Sequence, residues 1–311
     1  VAKFKTVLCP VDFSQLSERE LHLAVQICRR YGARLIIEHN LDPRPPNYMA
    51  VTWMWSESHE GREEDKAAAA QRQLRELLDR LPHDLPREAK LTRGPIDQGL
   101  LLLARELPAD LIVMGSHGWS TPEHRSLTEQ VIVGAPCPVL TLTEGCRDSS
   151  LFASEPDAAG EQVPVVVPVD FSRHSLAAME QAFEMAAELP WRCSLLYVEG
   201  RETSGGEAES GRARQRERLE KAKERLRALV PDALTGRVDL RAVAGVPTDE
   251  IVELARRVQA ALVFMGTHHK GMLRRLLGGS TSCEVLHKSP CPVWFIPRGG
   301  KANGRRKGAA A

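Results

Sequence analysis

The chain of 311 residues is long enough for two domains of ordinary size, each able to bury its own core. Its 42 lysines and arginines against 41 aspartates and glutamates leave a net charge of +1, which removes the electrostatic case for nucleic acid or an anionic membrane surface. Seven scattered cysteines with no C-x-x-C pair read as reduced thiols, no apolar run approaches the ~20 residues of a bilayer span, and Val1-Ala2-Lys3-Phe4-Lys5 enters a strand with no apolar signal core, so a cytoplasmic protein is expected.

In chain order, Thr6 to Val11 is an apolar run that predicts a strand ending at Asp12. Ser14 then suits an N-cap, and the helical pattern through Leu21, Ala24, Val25 and Ile27 stops at Gly32. Residues 34–39 read as a strand and 66–81 as a long helix with Ala67, Ala70, Leu74, Leu77, Leu78 and Leu81 on one face. A short strand over 90–92, a helix over 96–106, a doubly buried strand over 111–114, a helix over 126–133 and a strand over 139–141 complete the first half. The second half predicts the same series: strand 165–169, helix 174–189, strand 193–198, helix 212–230, strand 238–243, helix 248–258, strand 261–265, helix 280–287 and strand 293–296. Such alternation indicates a parallel α/β sheet.

The two halves are copies. Cys9-Pro10-Val11-Asp12-Phe13-Ser14 returns as Val167-Pro168-Val169-Asp170-Phe171-Ser172. Val113-Met114-Gly115-Ser116-His117 returns as Phe264-Met265-Gly266-Thr267-His268, and Pro136-Cys137-Pro138-Val139 as Pro290-Cys291-Pro292-Val293. This internal duplication divides the chain into a first domain over 1–143, a linker over 144–162 without periodicity, a second domain over 163–298 and a small, polar, basic tail over 299–311.

In an open parallel sheet, ligands bind beyond the carboxyl ends of the strands, where the strand order reverses. The Pro-Val-Asp turn and the glycine turn after the Met-Gly strand fit that place in each copy. Glycines there permit close backbone approach, and the following helix N-terminus offers unpaired amides to an anion. In the second copy the turn runs from Gly266 through His269 to Gly279 and Ser280.

This stretch resembles the universal stress protein family, whose nucleotide-binding members carry Gly, two residues, Gly, nine residues, then Gly-Ser/Thr. Gly266, Gly279 and Ser280 match, while His269 stands at the second glycine. The resemblance extends to Pro-Val-Asp-Phe-Ser, Leu195-Leu196-Tyr197-Val198, Gly245-Val246-Pro247 and Pro-Cys-Pro-Val, and as a whole it covers both copies. It implies two tandem Rossmann-like domains of the adenine nucleotide α-hydrolase type, each a five-stranded parallel sheet with helices on both faces. It further implies pairing of the two domains through their last strands, a possible homodimer beyond that, and ATP as the ligand, with magnesium left unassigned.

Carried over by position, Pro168, Val169, Asp170 and Val198 would flank adenine and ribose. Met265, Gly266, His268, His269, Gly279, Ser280 and Thr281 would line the phosphate turn. Asp12, Gly115, Gly118, Arg125 and Ser126 are weaker counterparts in the first copy, where Asn40 stands at the place of Val198. Gly94 lies 21 residues before Gly115, as Gly245 does before Gly266; but Gly115 to Pro138 is 23 residues and Gly266 to Pro292 is 26. The first copy has therefore lost three residues from its turn, and Arg125 replaces Gly279. Nucleotide binding is expected chiefly in the second copy.

Other features have plainer readings. Asp12 and Asp170 either meet ribose or cap the following helix. His117, His268 and His269 lack a third partner at metal-ligand spacing, so no metal is expected. Cys137 and Cys291 read as small buried residues. The basic run from Arg212 to Arg227 carries the apolar stripe Leu219, Ala222, Leu226 and Leu229 with glutamates interleaved, which makes it an amphipathic helix. Trp53-Met54-Trp55 covers a pocket or a partner surface, or packs on its own domain. The function expected is a nucleotide-responsive stress regulator that is not an enzyme, with slow ATP hydrolysis left open. A scaffold acting through protein contacts is the alternative; a hydrolase ranks last because no general base, Walker lysine or metal-binding carboxylate pair can be assigned.

Overall fold

A computed structural model describes residues 4–41, 60–116, 127–146, 151–152, 162–200, 209–267 and 281–297. The first half comprises β1 (Thr6–Pro10), α1 (Gln15–Tyr31), β2 (Arg34–Leu41), α2 (Glu60–Arg80), β3 (Arg87–Arg93), α3 (Ile96–Glu106), β4 (Leu111–Gly115), α4 (Leu127–Gly134) and β5 (Val139–Leu142). The second comprises β6 (Val163–Pro168), α5 (Arg173–Ala186), β7 (Trp191–Glu199), α6 (Glu209–Arg227), β8 (Val238–Ala244), α7 (Pro247–Arg257), β9 (Leu262–Gly266), α8 (Thr281–Lys288) and β10 (Val293–Ile296).

The strands form one ten-stranded sheet in the order β3-β2-β1-β4-β5-β10-β9-β6-β7-β8. Within each half every pairing is parallel; β5 and β10 meet antiparallel, with Trp294 opposite Leu140. Side chains of α1, α2, α5 and α6 cover one face and those of α3, α4, α7 and α8 the other, so the inner strands are buried on both sides while β3 and β8 at the edges are half-buried. This is why Leu111-Ile112-Val113 and Leu262-Val263-Phe264, all 0 % exposed, read as continuous apolar runs rather than alternating ones.

Local signals act as their chemistry requires. The Ser14 side chain accepts from Ser17 N, and Gly32 ends α1 at φ 65 with its amide bonded to the Cys28 carbonyl. Ser172 caps α5 in the same way. The α6 stripe buries Ala222 and Leu226 while the interleaved charges face outward. Boundaries shift most at α2, which begins at Glu60 rather than near Lys66, and a 3-10 turn over Asp232–Arg237 precedes β8 where no element is expected.

The linker departs from its expected character as a polar spacer. Leu151 and Phe152 are 3 % and 1 % exposed, and the Phe152 ring lies 5.8 Å from Trp191, 6.4 Å from Trp294 and 6.5 Å from Tyr31. Cys146 is buried as well, and its carbonyl accepts from Arg19, whose other guanidinium nitrogen bonds the Glu144 carbonyl at 3.2 Å. Two apolar residues in a polar stretch carry no periodicity, so only the tertiary structure reveals that they complete a core.

Candidate functional site

Each half of the sheet reverses its strand order once, between β1 and β4 and between β6 and β9. The crevice at a switch point opens at the carboxyl ends of those strands. There the Pro-Val-Asp-Phe-Ser segment makes the same turn twice. Phe13 and Phe171 adopt φ of 62° and 60°, a left-handed conformation that aromatic residues rarely take. Ser14 N and Ser172 N each donate to the Oδ1 of Asp12 and Asp170 at 2.9 Å, and Ser175 Oγ also donates to Asp170 at 2.5 Å. A tilted ring pair supports each turn: Phe13 beside His39 at 4.5 Å and Phe171 beside Tyr197 at 5.4 Å, with the Arg225 guanidinium 3.8 Å above Phe171. The turn therefore holds an exposed aspartate at the edge of the crevice in both copies.

The glycine turn begins beside it. Ser282 Oγ lies 3.4 Å from the Gly266 carbonyl, as Thr128 Oγ1 lies 2.9 Å from that of Gly115, so the first turns of α8 and α4 are tied to the ends of β9 and β4. In the second copy this assembles Pro168, Val169, Asp170, Val198, Met265, Gly266 and Thr281 at one edge of the sheet. His268, His269, Gly279 and Ser280 lie outside the described residues. So do Gly118, Arg125, Ser126 and His117 of the first copy, the tail and the Trp53-Met54-Trp55 segment. Asp12 and Gly115 occupy the equivalent places at the ends of β1 and β4.

Gly266 has a structural reason of its own. A β-carbon there would overlap the backbone carbonyl of His174, so the absent side chain is what lets α5 approach β9. At Gly115 a β-carbon would meet the Glu20 carboxyl and Leu16 Cδ2, which are side chains. Cys137 and Cys291 are 4 % and 3 % exposed, and burial pushes the Cys137 thiol well up, which suits packing rather than reactivity. Among the described residues no three histidine, cysteine or acidic side chains are grouped to hold a metal ion, and no helix is long and apolar enough to cross a membrane.

The model of the universal stress protein family matches residues 3–142 and again 164–297. The chain belongs to the universal stress protein family. It is 30% identical over 143 residues to the universal stress protein MJ0531 of Methanocaldococcus jannaschii, spanning 43% of this chain and 81% of that protein. It is 31% identical over 141 residues to a universal stress protein of Thermus aquaticus, spanning 44% of this chain and 97% of that one. A universal stress protein from Archaeoglobus fulgidus shares the fold along nearly the whole length, with a TM-score of 0.67, 20% identity, and coverage of 96% of this chain and 99% of that chain.

The two universal stress protein repeats differ at the walls of their crevices. In register, Pro10 lies opposite Glu38 and Pro168 opposite Leu196, so Glu38 and Asn40 correspond to Leu196 and Val198; Asn40 in turn faces Thr92, and Val198 faces Val243. The apolar wall of the second repeat is thus a polar one in the first. Thr92 Oγ1 donates to Glu38 Oε1, and Asn40 Nδ2 donates to Thr92 Oγ1 at 2.8 Å. Across the sheet, Glu20 of α1 stands where α5 has Ala178 and is 2 % exposed. Burial raises its carboxyl to about 8, with Asp12 adding to the rise and the Gly115 backbone opposing it; burial raises Glu38 to about 7 against the Thr92 hydrogen bond. Motif reading passes over Glu20, Glu38 and Thr92, yet aligning the repeats position by position exposes the two carboxylates opposite Ala178 and Leu196, and Thr92 opposite Val243.

Proposed function

We propose that this universal stress protein is a nucleotide-responsive regulator of the stress response that takes ATP chiefly in its second repeat, over 163–298. The first repeat, over 1–143, acts as its structural partner through the shared sheet, with 144–162 joining the two. What carries this reading is the asymmetry of the two walls. A nucleobase buries its flat apolar face readily against Val198 and Val243, and poorly against Asn40 and Thr92, whose polar groups already bond one another. Asp170 stands exposed beside that apolar wall, in reach of ribose hydroxyls, and the first turn of α8 points its amides toward the Gly266 end of β9. Binding rather than turnover is the activity proposed for this arrangement.

Equilibrium titration of ATP into the full chain tests the reading. One saturable equivalent is expected. Asp170→Ala should weaken it about tenfold or more, in keeping with a lost charge-assisted hydrogen bond. Asp12→Ala should leave it unchanged. Absence of saturable binding overturns the nucleotide reading in favour of action through protein contacts, and equal loss in both aspartate variants overturns the assignment to the second repeat.

A further inference from the structure

Glu20 lies on α1 with its Oε1 against Gly115 at the end of β4, and that oxygen has no hydrogen-bond partner. The groups that act on Glu20 are Asp12 from the β1–α1 turn and the Gly115 backbone from β4; Glu20 in turn acts on Cys9 of β1, whose thiol is pushed well up by burial, with Glu20, Cys28 and Glu38 adding to the rise. No cation is among them. Arg19, the neighbour of Glu20 on α1, bonds the Glu144 and Cys146 carbonyls. Glu38 sits within β2, opposite Pro10 at the end of β1, with one hydrogen bond from Thr92, and Lys90, opposite it in register, pairs with Glu88 instead.

The second repeat has neither group. Ala178 replaces Glu20, and the backbone of His174 and Ser175 packs straight onto Gly266; Leu196 replaces Glu38 and is 2 % exposed. The carboxyl of Glu20 therefore acts as a wedge between α1 and the end of β4, in a place that tolerates a neutral acid and penalises a carboxylate.

We propose that the first repeat carries a proton switch which the second repeat lacks: Glu20 holds a proton in the closed crevice, and loss of that proton loosens α1 from β4. The closed form binds the proton more tightly than the loosened form. Raising the pH toward about 8 therefore opens this half alone, and the response levels off once Glu20 is ionised in both forms. The proposal is independent of nucleotide binding.

Amide hydrogen exchange on the full chain, corrected for intrinsic exchange rates, tests it with the second repeat as internal reference. Between pH 5 and 7 the opening of α1 and β4 should increase by up to about tenfold per pH unit and flatten above pH 8, while α5 and β9 stay constant. Glu20→Gln should remove the increase. An equal response in both repeats, or a response that survives Glu20→Gln, overturns the proposal. A carbon-13 carboxyl titration of the unmodified protein provides a second readout that needs no substitution: a Glu20 midpoint near the ordinary 4.5 overturns it, and a midpoint near 8 supports it.

Discussion

Glu38 shows how one residue sets a pH dependence. Its carboxyl is raised from 4.5 to about 7, so the native chain retains a proton that the unfolded chain releases. Its contribution to stability is highest near and below pH 4.5, falls as the pH rises toward 7 and is constant above that. The difference is on the order of 3 kcal/mol. Glu38→Leu, which installs the residue of the second repeat, should therefore raise the denaturant midpoint at pH 8 more than at pH 5, as chemical unfolding at the two pH values would report. At this scale the caps were legible in the sequence, since Ser14 and Gly32 act through their immediate neighbours. The burial of Glu20 and Glu38 was not legible, because an acid on a helix or in a strand reads as solvated until its neighbours are known, even where the repeat alignment sets it opposite an apolar residue.

The approach of α5 to β9 is decided by two short features, a cap and a glycine. Ser172 accepts from Ser175 N at 3.2 Å, and Ser172→Ala should cost about 1 kcal/mol, measurable as a shift of the urea midpoint without change in its slope. Gly266→Ala drives a methyl into the backbone carbonyl of His174, which can yield only by displacing the helix, and should cost roughly 1–3 kcal/mol. Gly115→Ala meets the end of the Glu20 side chain, which can swing aside, and should cost less; thermal denaturation of the two variants side by side checks the ranking. The alternation of strands and helices was legible from apolar period alone. What was not legible is the reason for the glycine at position 266, because the demand comes from a helix that lies far away in sequence.

Across the whole molecule the sheet is continuous through β5 and β10, and the cores on both faces run across the junction. At its centre Trp294 is 0 % exposed, donates from Nε1 to Gln181 at 3.0 Å, and packs beside Phe4, Phe152 and Phe264. Phe152→Ala removes the linker's part of that cluster and should cost roughly 3–5 kcal/mol, seen as a lower melting temperature for the full chain. The duplication, the order of elements, the family and the two aspartate turns were already legible from local period, capping and repeated motifs. The contacts made in three dimensions are what show that Leu151 and Phe152 of the linker belong to the core, that the first crevice is walled by Glu38, Asn40 and Thr92, and that Glu20 fills the space under Gly115. Those facts depend on which distant residues meet in space, and burial by neighbours from other elements is what turns an ordinary carboxyl into a group that keeps its proton.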